Sequence, residues 1–566
     1  MLRYRYLREL RIFNFIVIIT ILMSFMAGCG AGKFQIPNPI PDDQRSGPEP
    51  KEREINIPAE AFNQQVVSQI KQSLDLPRQI RKLIGRPKEA LNTNAFDEVS
   101  NSSWYTNRNS MKRMSLEEIA KGPNKGALPD PTNTWIVIRA KAEGVTPGFS
   151  IVDSSGEKFV IKFDPSGYQE LATGAEVVST KLFYAIGFNV PENYIVYFDP
   201  KILKLGEKVK ITDEKGRKRL MTQDDLDAIL KRIERMPDGR IRAVASKYLS
   251  GKLKGPLKYK GTRDDDLNDI VPHQHRRELR GLRVISAWLN HYDTKANNSL
   301  DVYVNEGYMK HYLMDFGSTL GSQGDEPMPP EIGHENTIDP HAIIINMLTL
   351  GFYVRDWERI EPIRYPSIGY FRSDIFHPQK YKFIIPNPAF ENMTDRDGYW
   401  GAKQVMSITD DQLKAVVEEG KYSDPKAAEY LLKILVERRY MVGKYWFNRV
   451  NPLDKFEIGE GSDGRQLLYF KDLAVETRLE SSGKSDYRCD VMYDGRFKFS
   501  VEPFKETQVS LPPMGSDITT SGKDALWELK IYKRRGNSND KWMKPVEVYL
   551  RLDNASGKFA LMGIRH

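Results

Sequence analysis

One stretch constrains this chain more than any other. Arg276 to Asn290 (RRELRGLRVISAWLN) carries Leu279, Leu282, Ile285 and Leu289 at helical spacing, with Val284, Ala287 and Trp288 widening the stripe. A buried helix therefore runs directly into His291-Tyr292-Asp293-Thr294-Lys295-Ala296-Asn297-Asn298. Ser299 to Val304 and Tyr308 to Met314 follow as two short strands around the turn Asn305-Glu306-Gly307, and the second strand delivers Asp315-Phe316-Gly317. Asp293, Asn298 and Asp315 are thus carried on a helix end and a hairpin. These are the oxygen-bearing side chains that Mg²⁺ takes as ligands. Three polar groups in one desolvated cleft cost free energy unless they are paired or metal-bound.

The upstream half supplies a matching set. Thr134 to Ala142 and Phe149 to Asp153 alternate as strands around the loop Glu143 to Gly148, and Lys158 to Phe163 is a third strand after Ser154-Ser155-Gly156. Lys162 ends a Phe-Val-Ile-Lys run. A helix is expected from about Tyr168 to Ile186, with Leu171, Ala175, Val178, Leu182 and Ala185 on one face and Glu176 placed to pair with Lys162. Tyr194 to Phe198 is the next strand. Taken alone, Lys162 and Glu176 would be an ordinary solvated pair, and the downstream loop is what raises them above that.

The segment from about Trp135 to Gly321 resembles the atypical protein-kinase-like superfamily that includes HipA-type kinases, the secretory-pathway kinases of the Golgi lumen and bacterial spore-coat kinases. Phe159-Val160-Ile161-Lys162 is similar to the kinase Val-Ala-Ile-Lys, and Asp293 and Asn298, five apart and followed by Asp315-Phe316-Gly317, resemble the catalytic and metal-binding loops. The run Ala185-Ile186-Gly187-Phe188-Asn189-Val190-Pro191 is most like the HipA-type proteins. The resemblance implies an α+β, bilobal protein-kinase-like fold. In it Lys162 and Glu176 set the phosphates of ATP or another nucleotide, and Gly144 and Gly148 cradle them. Asn298 and Asp315 hold Mg²⁺ or Mn²⁺, and Asp293 activates a hydroxyl on a protein or glycan acceptor. The glycine loop lacks Gly-x-Gly-x-x-Gly, and Pro329-Pro330-Glu331 only weakly imitates Ala-Pro-Glu, so an ordinary protein kinase is excluded. The expected activity is phosphoryl or nucleotidyl transfer. The alternative is a non-catalytic scaffold on the same fold.

The N-terminus suggests a location. Arg3, Arg5, Arg8 and Arg11 precede an apolar run from Ile12 to Met26, and Met26-Ala27-Gly28-Cys29 resembles a bacterial lipobox. The run is shorter than the ~20 residues a membrane span wants. Residues 1–28 are therefore expected to be a lipoprotein signal peptide, with Cys29 acylated and holding the chain to the membrane. Positive flanks stay inside, which puts the rest of the chain outside the cytoplasm. Gly30 after the cysteine implies, by the same resemblance, outer-membrane sorting toward the periplasm. Only Cys29 and Cys489 are present, so acylation of the first leaves no intrachain disulfide, and Cys489 reads as a buried, inert thiol. A net charge of +8, part of it in the leader arginines and the rest interspersed, argues against nucleic acid as a partner.

At ~150 residues per domain, 566 residues correspond to about three to four domain equivalents. Residues 29–58 read as a flexible tether and 59–130 as an extension packing on the N-lobe. The N-lobe itself is 131–200, and 201–452 comprise an insert and a helical C-lobe. Within this last part, Gln223 to Arg235, Ile343 to Gly351, Thr409 to Glu419 and Asp424 to Trp446 are helical. Asp264-Asp265-Asp266 with Asp269 reads as a solvated turn, and His273-Gln274-His275 as a polar helix start. Composition shifts near Asn451-Pro452, and 453–566 is an all-β, sandwich-like domain with Asp494-Gly495 as a hairpin turn. That shift leads us to expect residues 60–451 to fold alone. For the anchor, Cys29→Ala should leave an unprocessed precursor that takes up no labelled fatty acid. Incorporation at the wild-type level would show that Cys29 is not the acylated residue and that the lipoprotein assignment is wrong.

Overall fold

The computed structural model describes residues 34–37, 40–140, 148–212, 218–512, 526–536, 540–553 and 555–566, so Cys29 and Gly144 lie outside the described residues. The first sheet begins with Trp135–Ala140 (β1), Gly148–Val152 (β2) and Lys158–Phe163 (β3), an antiparallel meander. Successive side chains of a strand point to opposite faces. In β3 this buries Phe159, Ile161 and Phe163 on one side and turns Lys162 to the other. Asn193–Phe198 (β4), Leu203–Leu205 (β5) and Ile241–Lys247 (β6) complete the order β4-β6-β3-β2-β1-β5, with only the β1–β5 pair parallel. The N-lobe therefore extends past the boundary expected at residue 200. Strand β6, from inside the expected insert, lies beside β3. Its run Ile241-Arg242-Ala243-Val244-Ala245 is buried on both faces and so lacks the alternation that marks a strand.

Helix Leu171–Ile186 (α1) is buried at nearly every position. A helix covered on all sides has no need of a polar face. It ends at Gly187, φ 135°, where a Cβ would lie 2.3 Å from the Tyr105 ring. Arg277–Trp288 (α2) leads into the polar loop and then the hairpin Ser299–Tyr303 (β7) and Met309–Leu313 (β8), as the sequence order predicts. Asp395–Met406 (α3), which periodicity alone does not reveal, crosses α2 closely. A Cβ on Gly281 would lie 2.5 Å from Trp400, and one on Gly401 2.7 Å from the Gly281 carbonyl. Its Thr394–Asp397 capping box was the legible signal. Pro425–Arg449 (α4) and the helix Asp410–Glu418 finish the C-lobe. The expected helix near 343–351 forms as Pro340–Leu348, but it stands outside the core.

Two expectations about the N-terminal segments are corrected by buried charge. The segment read as a flexible tether is laid against the hairpin. Asp43 accepts from Ser103 N and Oγ at 2.9 and 2.8 Å, and Arg53 pairs with buried Asp301 at 2.8 Å. Much of 59–130 packs on the C-lobe rather than the N-lobe. Asp97 pairs with Arg277 at 2.9 Å and Arg396 at 2.6 Å, and the Asn92 side chain accepts from Arg277 N, the first N–H of α2. Buried guanidinium groups require such partners, and the sequence gives no distance at which to find them. The acidic turn and the histidine pair are structural too. Asp269 joins His273 at 2.6 Å and lies 3.5 Å from Arg276, and no cluster of three or more metal-ligating His, Cys, Asp or Glu exists among the described residues.

Beyond residue 452, two sheets face each other. One contains Leu453–Glu460, Gln466–Asp472 and Gln508–Ser510. The other runs in the order Arg496–Phe504, Ser485–Tyr493, Trp527–Arg535, Val546–Asp553, Lys558–Arg565. Leu453, Leu468 and Phe470 meet Cys489, Leu529, Ile531 and Val548 between them, so the sandwich-like reading is the fold. Burial pushes the Cys489 thiol up to about 12, which keeps it protonated and inert. Asp494 and Gly495 both take positive φ, 47° and 74°, as a tight hairpin of matching twist requires.

The sandwich is fastened to the C-lobe by polar groups out of water. Lys403 on α3 binds Glu98 and, at 2.6 Å, Asp454. Burial opposes the Lys403 charge, but the two carboxylates override it and raise its pKa. Asn451 Nδ2 donates to the Ile531 and Lys544 carbonyls at 3.1 Å, and Arg535 donates to Phe447 O at 2.8 Å. Against the expectation of a separable unit, the boundary is crossed by a shared buried network. Removing one partner from such a network costs about 3–5 kcal/mol. Asp454→Ala should therefore lower unfolding stability in urea by about 3 kcal/mol and open the 447–456 region to proteolysis. An unchanged midpoint would show that the two parts stand independently.

Candidate active site

Three elements that are far apart in the chain converge on one ammonium group. Lys162, on the face of β3 turned away from the phenylalanines, lies 3.0 Å from Glu176 Oε2 of α1 and 2.8 Å from Asp315 Oδ1 just after β8. Glu176 is buried and is held from its other side by Asn193 Nδ2 at 3.1 Å, while Asn193 also donates to Thr180 Oγ1 at 2.7 Å. Burial works against the Lys162 charge, yet the Asp315 and Glu176 carboxylates outweigh it and raise the pKa above the ordinary lysine value. The amine is therefore a fixed cation at neutral pH.

Asp315 sits at φ 65°. Left-handed backbone is costly for a residue other than glycine and concentrates at functional sites. The turn is secured by Met314 N donating to Asn298 O at 3.0 Å, and the Asp315 side chain is 48% exposed. Behind it, Phe316 is fully buried and stacks on Phe183 of α1 with centroids 4.6 Å apart, while His291 meets both rings edge-on. Burial lowers the His291 pKa, so the imidazole is neutral within this apolar stack. Gly317 follows because its position is tight, with a Cβ there falling 3.3 Å from Glu176 Oε2.

The loop after α2 folds around Asp293. Asn298 Nδ2 donates to the Asp293 backbone oxygen at 2.6 Å and to Oδ2 at 3.1 Å, and Lys295 Nζ lies 2.9 Å from the same Oδ2. Asp293 Oδ1 is buried and has no hydrogen-bond partner among the described residues. With its amide nitrogen committed to Asp293, Asn298 has its carbonyl oxygen as the atom able to meet a cation. Asp315 and Asn298 thus fit a Mg²⁺ or Mn²⁺ ion that takes its remaining ligands from phosphates and water, which is how Mg²⁺ is usually held.

The structure brings together Lys162, Glu176 and Asp315 as one set and Asp293 and Asn298 as another, and the Asn298–Met314 hydrogen bond links the two. Gly148 lies opposite Lys162 in the β2–β3 register, at the end of the glycine-containing loop, and Gly144 is outside the described residues. The sequence reading missed Lys295, although a lysine two residues beyond Asp293 was legible. It also missed Asn193 and the Phe183–His291–Phe316 stack, which are tertiary.

No protein-family model matches the chain, and no curated protein matches it. Solved structures similar to it include two of a Golgi casein kinase. A crystal structure of a Golgi casein kinase with Mn and ADP bound has 11% identity and a TM-score of 0.27, covering 56% of this chain and 72% of that one. A second crystal structure of a Golgi casein kinase has 10% identity and a TM-score of 0.26, covering 72% and 94%. The α+β arrangement of the site stands on the chain's own strand lysine, buried helix, loop and hairpin.

Buried paired charges that share a partner are not additive. Lys162→Met and Glu176→Gln should each lower urea stability by about 2 kcal/mol, a value discounted for the partial exposure of Lys162. The double variant should lose less than the two single losses combined. Strictly additive losses would mean that the pair contributes nothing in solution.

Proposed function

We propose that the chain is a kinase-like phosphotransferase that moves a phosphoryl or nucleotidyl group from a metal–nucleotide complex to a hydroxyl acceptor on a protein or glycan. The observation that carries this reading is Lys162 bound at once to Glu176 and Asp315, a cation fixed beside an exposed carboxylate at the mouth of the cleft. Lys162 neutralises the nucleotide phosphates, and Glu176, itself held by Asn193, keeps the amine in place. Asp315 and Asn298 would hold Mg²⁺ or Mn²⁺, which supplies charge neutralisation on the transferring group. Asp293 takes the acceptor's proton as the hydroxyl oxygen bonds to phosphorus and the bond to the leaving phosphate oxygen breaks. Lys295 Nζ lies 2.9 Å from Asp293 Oδ2 and fixes the direction in which that carboxylate points.

In this proposal the protein works in the bacterial envelope, anchored through lipid on Cys29 at the outer membrane and facing the periplasm. The leader arginines and the Met-Ala-Gly-Cys sequence support that placement. The scaffold alternative keeps one observation in its favour. Lys162 already pairs with Asp315, so that carboxylate has a cation partner from the chain itself.

Calorimetry separates the two. Nucleotide binding should require a divalent cation, and Asp315→Ala should remove the metal-dependent part while the protein stays folded. Asp293→Asn should keep nucleotide affinity and lose transfer by about 10²–10⁴-fold, because a general base acts in the transition state rather than in ground-state binding. Transfer is read as a mass gain on the protein or an added acceptor, with each nucleotide tried in turn. Protein that binds no nucleotide with Mg²⁺ or Mn²⁺ would leave only the scaffold.

A further inference from the structure

The helix Pro340–Leu348 and the loop after it form an exposed apolar surface. Ile344, Met347, Leu348, Leu350, Phe352 and Val354 all face water, with Leu348 80%, Leu350 82% and Phe352 86% exposed. Isolated exposed leucines are ordinary, but a contiguous apolar patch on one element marks an interaction surface. The helix has nine residues, about 14 Å at 1.5 Å per residue, and the hydrocarbon core of a bilayer is about 30 Å thick. It cannot cross a membrane, and among the described residues no helix is long and apolar enough to do so.

Beside the helix opens a cleft of about 740 Å³ whose lining divides by chemistry. Ala342, Ile345 and Tyr353 line it on the helix side, Arg283, Lys380 and Arg438 bring cations to it, and the carboxylates Glu335 and Asp356 also line it, Glu335 being paired with Arg355 at 3.4 Å. None of these three cations makes an ion pair among the described residues. Arg438 is the most demanding of them. It is buried on α4, its Nη atoms donate to the Ala287 and Arg372 carbonyls at 2.6 and 3.1 Å, and Nε has no partner. The rings of Phe371 and Phe376, centred 4.6 and 3.9 Å from the guanidinium carbon, are its other neighbours. The buried Tyr381 hydroxyl, in the same lining, also has no partner. A buried cation without a carboxylate is expensive, and an arriving oxyanion would relieve that cost. Burial pushes the Arg438 guanidinium down to about 9, and burial together with Arg438, His377 and Lys382 pushes His334 down to about 4.

We propose that this corner of the C-lobe is a membrane-contact site, in which the helix Pro340–Leu348 and the following loop lie in the interface of an anionic bilayer and the adjoining cationic cleft receives a phospholipid headgroup oxyanion. Apolar side chains next to unpaired cations match the two halves of an anionic lipid, acyl chain and headgroup. A short helix lying flat in the interface is the geometry that such a pattern supports. Lys382 and Asp339 hold the start of the helix in place, since Lys382 pairs with Asp339 and the Asp339 side chain accepts from Ala342 N at 3.2 Å. The proposal stands whether or not the cleft near Asp315 performs transfer.

The test uses the full chain carrying Cys29→Ala, reconstituted into vesicles through its own leader, with Leu348→Cys labelled by an environment-sensitive fluorophore. The remaining cysteine, Cys489, is buried. In phosphatidylglycerol vesicles the label should be quenched by doxyl-lipid at least twofold more than the same label on Glu506→Cys, an exposed position in the sandwich. It should also be protected from iodide, and both effects should weaken in phosphatidylcholine. Lys380→Glu, at an exposed position, should reduce the preference for the anionic lipid without changing the circular dichroism spectrum. Equal quenching and equal iodide access at the two label positions would overturn the proposal. So would a label that responds to inorganic phosphate alone as strongly as to vesicles, because the cleft would then be a site for a free oxyanion.

Discussion

The Lys162 ammonium is the point on which the two lobes depend. It is attached to the first sheet, one of its carboxylate partners is on a helix buried between the lobes, and the other lies at the end of the C-lobe hairpin. Any relative movement of these elements separates charges that are partly or wholly out of water, where attraction is strong and hydration no longer compensates. The constraint propagates outward. Glu176 must stay where Lys162 can reach it, so α1 is wedged by Asn193 on one side and by the close approach of Gly317 on the other. The Phe183–Phe316 stack gives the same junction an apolar floor, so a polar cluster and an apolar one locate the same turn by independent forces.

A second set of buried charges does for the outer parts of the chain what Lys162 does for the lobes. Asp97 accepts from Arg277 and Arg396 and lies 3.1 Å from His566, and Lys403 joins Glu98 to Asp454. The N-terminal extension, the C-lobe and the sandwich are thereby fixed in one register. Such pairs contribute little net stability, because desolvation offsets most of the attraction. Their effect is on specificity, since any other docking would strand a charge. The stability itself comes from apolar clusters, the three largest lying in the N-lobe sheet, the C-lobe helices and the sandwich.

The backbone of the site carries strain where its chemistry is placed. Asn290 at φ 55° ends the approach from α2, and Asp315 at φ 65° turns the chain after β8. Left-handed residues that are not glycine persist only where the surroundings over-determine them. Here the surroundings are the Met314–Asn298 hydrogen bond, the Lys162 contact and the buried Phe316. The same reasoning separates this site from the helix Pro340–Leu348, which is held at its first turn by Asp339 and leaves Ile344, Met347 and Leu348 in water.

Local pattern alone was enough to place β3 and its lysine, the buried α1 with Glu176, the α2 helix, the β7–β8 hairpin and the tight turn at Asp494-Gly495. Each of these is specified by side-chain periodicity or turn chemistry within about twenty residues. Candidate identities at Asp293, Asn298 and Asp315 were legible for the same reason, as was Lys295, which was there to be read. Strand β6 was not, because a strand covered on both faces has no alternation, and its neighbours β3 and β4 are distant in sequence. The docking of residues 43–97 onto the C-lobe and the fastening of the sandwich through Lys403 were equally hidden. Both rest on single charges meeting across 51 to 248 residues, and a sequence records that a charge is present but not which opposite charge will share its burial. Which surface the helix Pro340–Leu348 presents was likewise decided in three dimensions. Apolar periodicity states that a helix has something to bury, and only the packed fold shows whether the protein itself provides the cover.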